Sequence, residues 1–430
     1  MTENKKTTEY FANILKNSKN IILRGAPGTG KTYLAKKIAT YLASDGITED
    51  YNNLTVEQKR QIGFVQFHPN YDYTDFIEGL RPIINDDHQM SFELKDGIFK
   101  WFIDCARDDY DKHINPQKVA KQYTIIEAMN EFVDKSIGEK KEYKIKNGNK
   151  FYVVDNNDDE IIINVPANKK SSKVRLKFAR LQEMIESDLE FNNNDDIRKF
   201  LIMKSIKQEN SYYLVLINKV KELMSEVKTI ELKNEPIKNY VFIIDEINRG
   251  EISKIFGELF FTIDPGYRGE LGAVSTQYAN MHDNPNEKFY IPDNVYIIGT
   301  MNDIDRSVDT FDFAMRRRFR FIEIKADDYV EMLEDLGNKK QEAINRMSSL
   351  NKAIESTEGL NANYQIGAAY FLKLRDMNFD YEQLWQDNLL PLLQEYVQGM
   401  YNETEIIKKF KNAFDCKNAN DRNVNNEDQG

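Results

Sequence analysis

Residues 25–32 read Gly-Ala-Pro-Gly-Thr-Gly-Lys-Thr, a glycine-spaced loop whose residue types suit the holding of phosphates. Gly25, Gly28 and Gly30 let the backbone turn its N–H groups inward on an anion, and Ala26, Pro27 and Thr29 fill the positions between them. Lys31 carries a point charge able to reach β- and γ-phosphates, and Thr32 a hydroxyl suited to Mg2+. The loop follows a short apolar run, Ile21-Ile22-Leu23, itself preceded by a helix-like segment at Glu9–Asn17. After it comes Tyr33–Ala39, with helical spacing. A strand, a glycine loop and a helix N-terminus together aim backbone donors and the helix dipole at one anion.

Two further apolar runs end in polar residues. Tyr240–Ile244 leads into Asp245 and Glu246, which the strand would deliver to the sheet edge where ligands of open α/β sheets sit. There Asp245 suits Mg2+ held through water, and Glu246 suits polarisation of an attacking water. Asn294–Thr300 leads into Met301-Asn302-Asp303-Ile304-Asp305-Arg306-Ser307, and Asn302 suits the same water or a phosphate oxygen. Then Phe313–Arg320 places Arg316, Arg317, Arg318 and Arg320 within five residues. Two of Arg316, Arg317 and Arg318 are expected to reach a neighbouring subunit's nucleotide as arginine fingers.

The composition sets the bounds of this chemistry. A chain of 430 residues with 41% hydrophobic content builds a real core and two or three domains. No run of 18 apolar residues occurs and the N-terminus lacks an apolar signal region, so a cytoplasmic protein without a membrane partner is expected. Cys105 and Cys416 stand far apart and the four histidines are scattered, which excludes a disulfide framework and a zinc-type cluster. The net charge of −11 argues against a blanket nucleic-acid binder.

The expected fold class is α/β, a P-loop NTPase core with a parallel sheet, a large α+β insertion and a C-terminal helical lid. Residues 1–105 and 239–325 read as the two parts of the core, 106–238 as the insertion, 326–414 as the lid and 415–430 as a disordered tail. Within the insertion, alternating segments at Glu142–Lys146, Lys150–Val154 and Glu160–Val165 predict a small meander, with Val174–Phe178 as a further strand or a lead into a helix. Helices are expected at Ala179–Asp188, Ile197–Gln208 and Tyr212–Val227, and in the lid at Tyr329–Leu336, Lys340–Glu355 and Leu384–Gly399. The insertion carries 25 Lys and Arg against 23 Asp and Glu, in a chain otherwise acidic. Lys169, Lys170, Lys173, Arg175, Lys177 and Arg180, near Phe151, Tyr152 and Phe178, are the candidates for a nucleic-acid face. His68 and Tyr71 read as packing or subunit-contact residues, and Trp101 and Trp385 as core or lid packing residues.

Taken in order, these motifs resemble the McrB family of AAA+ motor subunits from modification-dependent restriction systems of the 5-methylcytosine type. The resemblance rests on Gly25–Thr32, the segment Gln66–Pro82, Ile244-Asp245-Glu246-Ile247-Asn248-Arg249-Gly250, Met301–Ser307, Arg316–Phe319 and Tyr364-Gln365-Ile366-Gly367. It implies a hexameric ring that hydrolyses nucleotide with Mg2+, GTP in the best-known members, with ATP as the alternative. It implies a separate McrC-like endonuclease subunit as partner, and DNA contacted directly or through a partner. Asn302 and Asp305 match the positions that serve hydrolysis in the family, and Arg249 an interface or phosphate-side position. This chain departs from the family at Asp303-Ile304, where Thr-Ala is frequent, and at Ala368-Ala369, where His-Ser is frequent. The first apolar strand begins at Ile21, so the family's leading DNA-reading domain is expected to be absent and its task to fall to residues 106–238 or a separate subunit. No Asp…Glu-x-Lys nuclease signature stands in a strand context, so the chain is not expected to cut DNA itself. A chaperone-like AAA+ ATPase remodelling a protein partner is the alternative function.

Overall fold

The computed structural model describes residues 7–84, 90–157, 159–168, 172–224, 236–282, 284, 286–304 and 313–416. They fall into two compact units, one drawn from 1–106, 238–276 and 288–430, the other from 107–237 and 277–287. The strands among the described residues are β1 (Asn20–Gly25), β2 (Ile62–Gln66), β3 (Glu78–Ile84), β4 (Met90–Asp96), β5 (Glu142–Lys144), β6 (Lys150–Asn156), β7 (Glu160–Asn164), β8 (Lys173–Lys177), β9 (Tyr240–Asp245), β10 (Val295–Asn302) and β11 (Arg320–Glu323).

In the first unit a five-stranded sheet runs β11-β1-β10-β9-β2, every neighbouring pair parallel. Its central strands are unbroken apolar runs because both faces are covered. Val241, Phe242, Ile243 and Ile244 of β9 are all fully buried. On one face Ile21, Leu23, Ile243 and Ile298 pack with Phe11 and Leu15 of the helix Thr8–Ser18 and with Leu34 and Ile38 of the helix Lys31–Ala43. On the other, the Phe242 ring meets those of Phe99 and Phe102 at 5.0 and 5.1 Å. Register then aligns the functional strand ends. Gly25 lies opposite Asn302, Ile244 opposite Gly299 and Asp245 opposite Gln66.

The C-terminal helices of this unit pack around a core that includes Leu350, Phe371, Trp385, Leu393, Phe410 and Phe414. Lys340–Glu355 is helical. Two other expected lid helices are not regular. The first is a run of 3₁₀ turns at Val330–Lys339, interrupted by Gly337 at φ +56°. The second divides into Tyr381–Leu384, a π-helical turn at Trp385–Leu389 and Leu390–Val397. Pro391 explains that widening, since it has no N–H to give the preceding turn. Trp385 is buried, but Trp101 is 56% exposed, so the expectation of packing fails for Trp101.

In the second unit β5-β6-β7-β8 form an antiparallel meander. Phe151, Val153, Ile161, Ile163 and Leu176 share its inner face with side chains of the helices Pro116–Gly138, Phe178–Glu186 and Gln208–Met224. The helix expected at 197–208 is instead Asn194–Phe200. Asn193 and Asp196 form a capping box that starts it early, and Ile202 at φ +51° follows its end. The expected disordered tail lies, from residue 417 onward, outside the described residues.

Candidate nucleotide-binding site

The glycine loop joins β1 to the helix that begins at Lys31. Gly28 at φ +74° and Gly30 at φ +87° occupy backbone conformations that strain other residues. A Cβ on Gly28 would stand 2.6 Å from the Tyr370 ring, and one on Gly30 2.7 Å from the Met332 methyl. These glycines therefore serve the turn and also admit side chains of the C-terminal helical region against the loop.

Lys31 is buried, and its ammonium donates to the carbonyls of Gly25 at 3.1 Å and Ala26 at 2.8 Å and to Asn302 Oδ1 at 2.8 Å. The Thr32 hydroxyl donates to Asp245 Oδ1 at 2.6 Å. Thr300 donates to the same oxygen at 2.6 Å and accepts from the Glu246 backbone N–H at 3.2 Å. Glu246 itself sits at φ +52°, ψ +45°, a left-handed conformation costing about 1–3 kcal/mol in a non-glycine residue. That turn lets the Asn302 amide donate to Glu246 Oε1 at 2.7 Å. Asn302 thus links the loop lysine to the glutamate through one amide group. Arg249 Nε lies 3.4 Å from Glu246 Oε2. Asp305 lies outside the described residues.

A cleft of about 670 Å³ opens over these groups. Its floor is Gly28–Thr32 with Glu246, Thr300 and Asn302, and its far wall includes Met332, Asp335 and Tyr370. The loop's outer carbonyls are capped by backbone donors, Gly367 N–H to Pro27 O and Ala369 N–H to Gly28 O, both at 2.9 Å. Sequence reasoning singled out Gly367 and Ala369 but missed Thr300, Met332 and Tyr370. Thr300 stands at the end of the same apolar run that pointed to Asn302; the other two have no local signature, since only tertiary packing brings them to the loop.

The arginine cluster divides. Arg316 and Arg317 are exposed, Arg317 lying 3.1 Å from Asp264 Oδ2. Arg318 is buried, stacked on Phe260 at 4.2 Å and donating to Ala314 O at 2.9 Å, while its own carbonyl accepts from Asn20. The expectation that Arg318 serves as a finger in trans is therefore corrected: its guanidinium is held inside its own subunit. Asp303, one of the departures from the family pattern, lies 3.8 Å from Arg24. Burial raises its carboxyl pKa, against the lowering effect of Arg24 and Lys31. In the segment 66–82, Tyr71 stacks on Phe67 at 4.9 Å and meets His68 edge-on at 5.4 Å. Burial, then Asp75 and Asp72, pushes the Tyr71 hydroxyl up to about 12.

The donor set at Asp245 fits Mg2+. A carboxylate with Thr32 on it at the mouth of a phosphate loop offers hard oxygen ligands and leaves the remaining positions to water and phosphate. Among the described residues no cluster of three or more His, Cys, Asp or Glu side chains could hold a metal, and no helix is long and apolar enough to cross a membrane.

Residues 342–405 match the family described as the McrB alpha-helical lid domain, and residues 200–319 match the AAA domain of the dynein-related subfamily. The Type IV methyl-directed restriction enzyme EcoKMcrB subunit of Escherichia coli K12 is 26% identical over 403 residues, covering 91% of this chain and 56% of that protein. The Type II restriction enzyme BsuMI component YdiS of Bacillus subtilis 168 is 32% identical over 104 residues, 23% of this chain and 30% of that protein. The chain thus spans about half the length of the first relative and less of the second.

Proposed function

We propose that this chain, an McrB-like AAA+ protein, hydrolyses a nucleoside triphosphate and drives a restriction or antiviral defence system with the energy released. The observation that carries this reading is the pairing across one cleft of Thr32 with Asp245 and of Asn302 with Glu246. The loop N–H groups and Lys31 bind the phosphates, and Thr32 and Asp245 hold Mg2+, which when bound offsets charge on the phosphate oxygens. Glu246 accepts a proton from the attacking water, and Asn302 orients the glutamate and that water. Asp305 joins them by family position.

The nucleotide proposed from the family is GTP, with ATP as competitor. Subunits assemble into a ring, hexameric by family, in which Arg316 or Arg317 of a neighbour completes each site. A separate McrC-like endonuclease cuts the DNA, in the cytoplasm. Remodelling of a protein partner is the second reading. The β3–β4 hairpin favours it by placing the pairs Leu80–Leu94, Pro82–Phe92 and Ile84–Met90 on one face, with Ile84, Met90 and Phe92 exposed.

The test is steady-state turnover of GTP and ATP, with and without methylated and unmethylated DNA. Glu246→Gln should lower turnover by about 10²–10⁴-fold while nucleotide affinity stays within a few-fold. Unchanged turnover would remove Glu246 from the water-activating role. Stimulation by DNA supports the restriction reading, whereas stimulation only by a protein partner supports the second.

A further inference from the structure

We propose that the outer face of the β5–β8 sheet binds the phosphate backbone of duplex DNA without reading its bases. This rests on the restriction-system reading and adds a surface to it. Strand alternation sends Phe151, Val153, Ile161, Ile163 and Leu176 inward. The opposite face receives Lys144 of β5, Lys150 of β6 and Lys173, Arg175 and Lys177 of β8. Lys144, Lys150, Lys173 and Arg175 are exposed and Lys177 is half-buried. Among the described residues three carboxylates share the face, Glu142, Glu160 and Asp155, which the bulge in β6 sets opposite Ile162, so five cations exceed the anions by two in a chain whose net charge is −11.

The ion pairs of Glu142 and Glu160 are of the exchangeable kind. Glu142 lies 2.9 Å from Lys150 and 3.6 Å from Lys144, and Glu160 lies 3.2 Å from Arg175. Exposed pairs of this sort add little to stability, so a phosphate can replace the carboxylate. Lys173, Arg175 and Lys177 recur at every second residue, about 6.7 Å apart. That is about twice the 3.4 Å axial rise per phosphate on one DNA strand, so a row of three spans several phosphates.

The chemistry favours duplex over single-stranded DNA. Base-stacking surfaces need several accessible rings, and the aromatic on this face is Tyr152, whose hydroxyl is bound to Glu142 at 2.9 Å. Phe151, expected from sequence to join the basic residues, is fully buried on the other face. Phe178 packs against the unit's core, and Arg180 lies 3.7 Å from Glu209. Lys169 and Lys170 lie outside the described residues. What remains is charge without a base reader.

The experiment is fluorescence anisotropy of the full chain with an unmethylated duplex of random sequence, across a salt series and with nucleotide present. The wild type should bind with an affinity that falls as salt rises. The variant Lys173→Ala/Arg175→Ala/Lys177→Ala should bind at least tenfold more weakly at low salt, with the logarithmic salt slope reduced by roughly 2–3. Lys173→Arg/Lys177→Arg, which keeps the charge, should bind as the wild type does. Equal slopes for wild type and triple variant would overturn the proposal and assign the lysines of β8 to protecting a sheet edge. Tighter binding of a single strand would overturn the choice of duplex. A wild type that binds no duplex would overturn the surface as well, while NTP turnover in the same samples reports separately whether the motor reading stands.

Discussion

Arg317 and Arg318 are adjacent in sequence and are predicted to respond differently to substitution. Arg318 is 7% exposed, with its guanidinium over Phe260. Removing it forfeits a desolvated cation–π contact and the hydrogen bond to Ala314 O, together about 2–3 kcal/mol. Arg318→Ala should therefore lower Tm by several degrees, whereas Arg317→Ala, at an exposed position, should leave Tm unchanged; thermal unfolding of the two variants checks this. Sequence alone could not separate them, because a helix of six residues places neighbours on different faces and the end of the apolar pattern does not say which face is covered. The residues of the candidate site were more legible. Asp245, Glu246 and Asn302 stand at the carboxyl end of an apolar run or directly after it, Lys31 and Thr32 follow the glycine loop that leaves another, and parallel strands bring such ends to one edge. The Lys31–Asn302–Glu246 link was not legible, since it depends on Glu246 turning into a left-handed conformation.

At the scale of elements, the chain after Gln365 packs on the glycine loop with almost no side chain between. A Cβ on Gly367 would lie 2.1 Å from the Gly28 carbonyl carbon and 2.2 Å from the Thr29 nitrogen. These are backbone atoms, so no rotamer change can make room. Gly367→Ala should push the segment off the loop and break the bond from Gly367 N–H to Pro27 O. The expected result is a nucleotide affinity at least tenfold weaker, about 1.4 kcal/mol, read by titration with a fluorescent nucleotide. An unchanged affinity would show that the loop holds its shape without this support. The existence of a helical lid was legible from apolar spacing, and its interruptions less so. Gly337 and Pro391 are visible as breakers, but sequence does not say whether a proline ends a helix or, as Pro391 does, follows a π turn within it.

At the scale of the whole molecule, long-range joins were the least legible. Residues 277–287 belong to the same compact unit as 107–237, although an 11-residue stretch before β10 carries no pattern that says so. The proposed assembly has the same character, because the contacts a residue makes within its own chain do not reveal a role at a neighbour's site. Arg316 and Arg317 are exposed at the end of their helix, and fingers of this kind contribute about 10³–10⁵ to turnover. Mixing tests the arrangement directly. Glu246→Gln subunits lack the general base but keep both arginines, whereas Arg316→Ala/Arg317→Ala subunits lack the arginines but keep the base. Each preparation alone should be nearly inactive. In an equal mixture, about one interface in four then joins an intact base to an intact arginine, so turnover should recover to about a quarter of wild type where sites fire independently. Arginines acting within their own subunit would give no recovery at any mixing ratio, and mixtures as inactive as their components would refute the trans assignment.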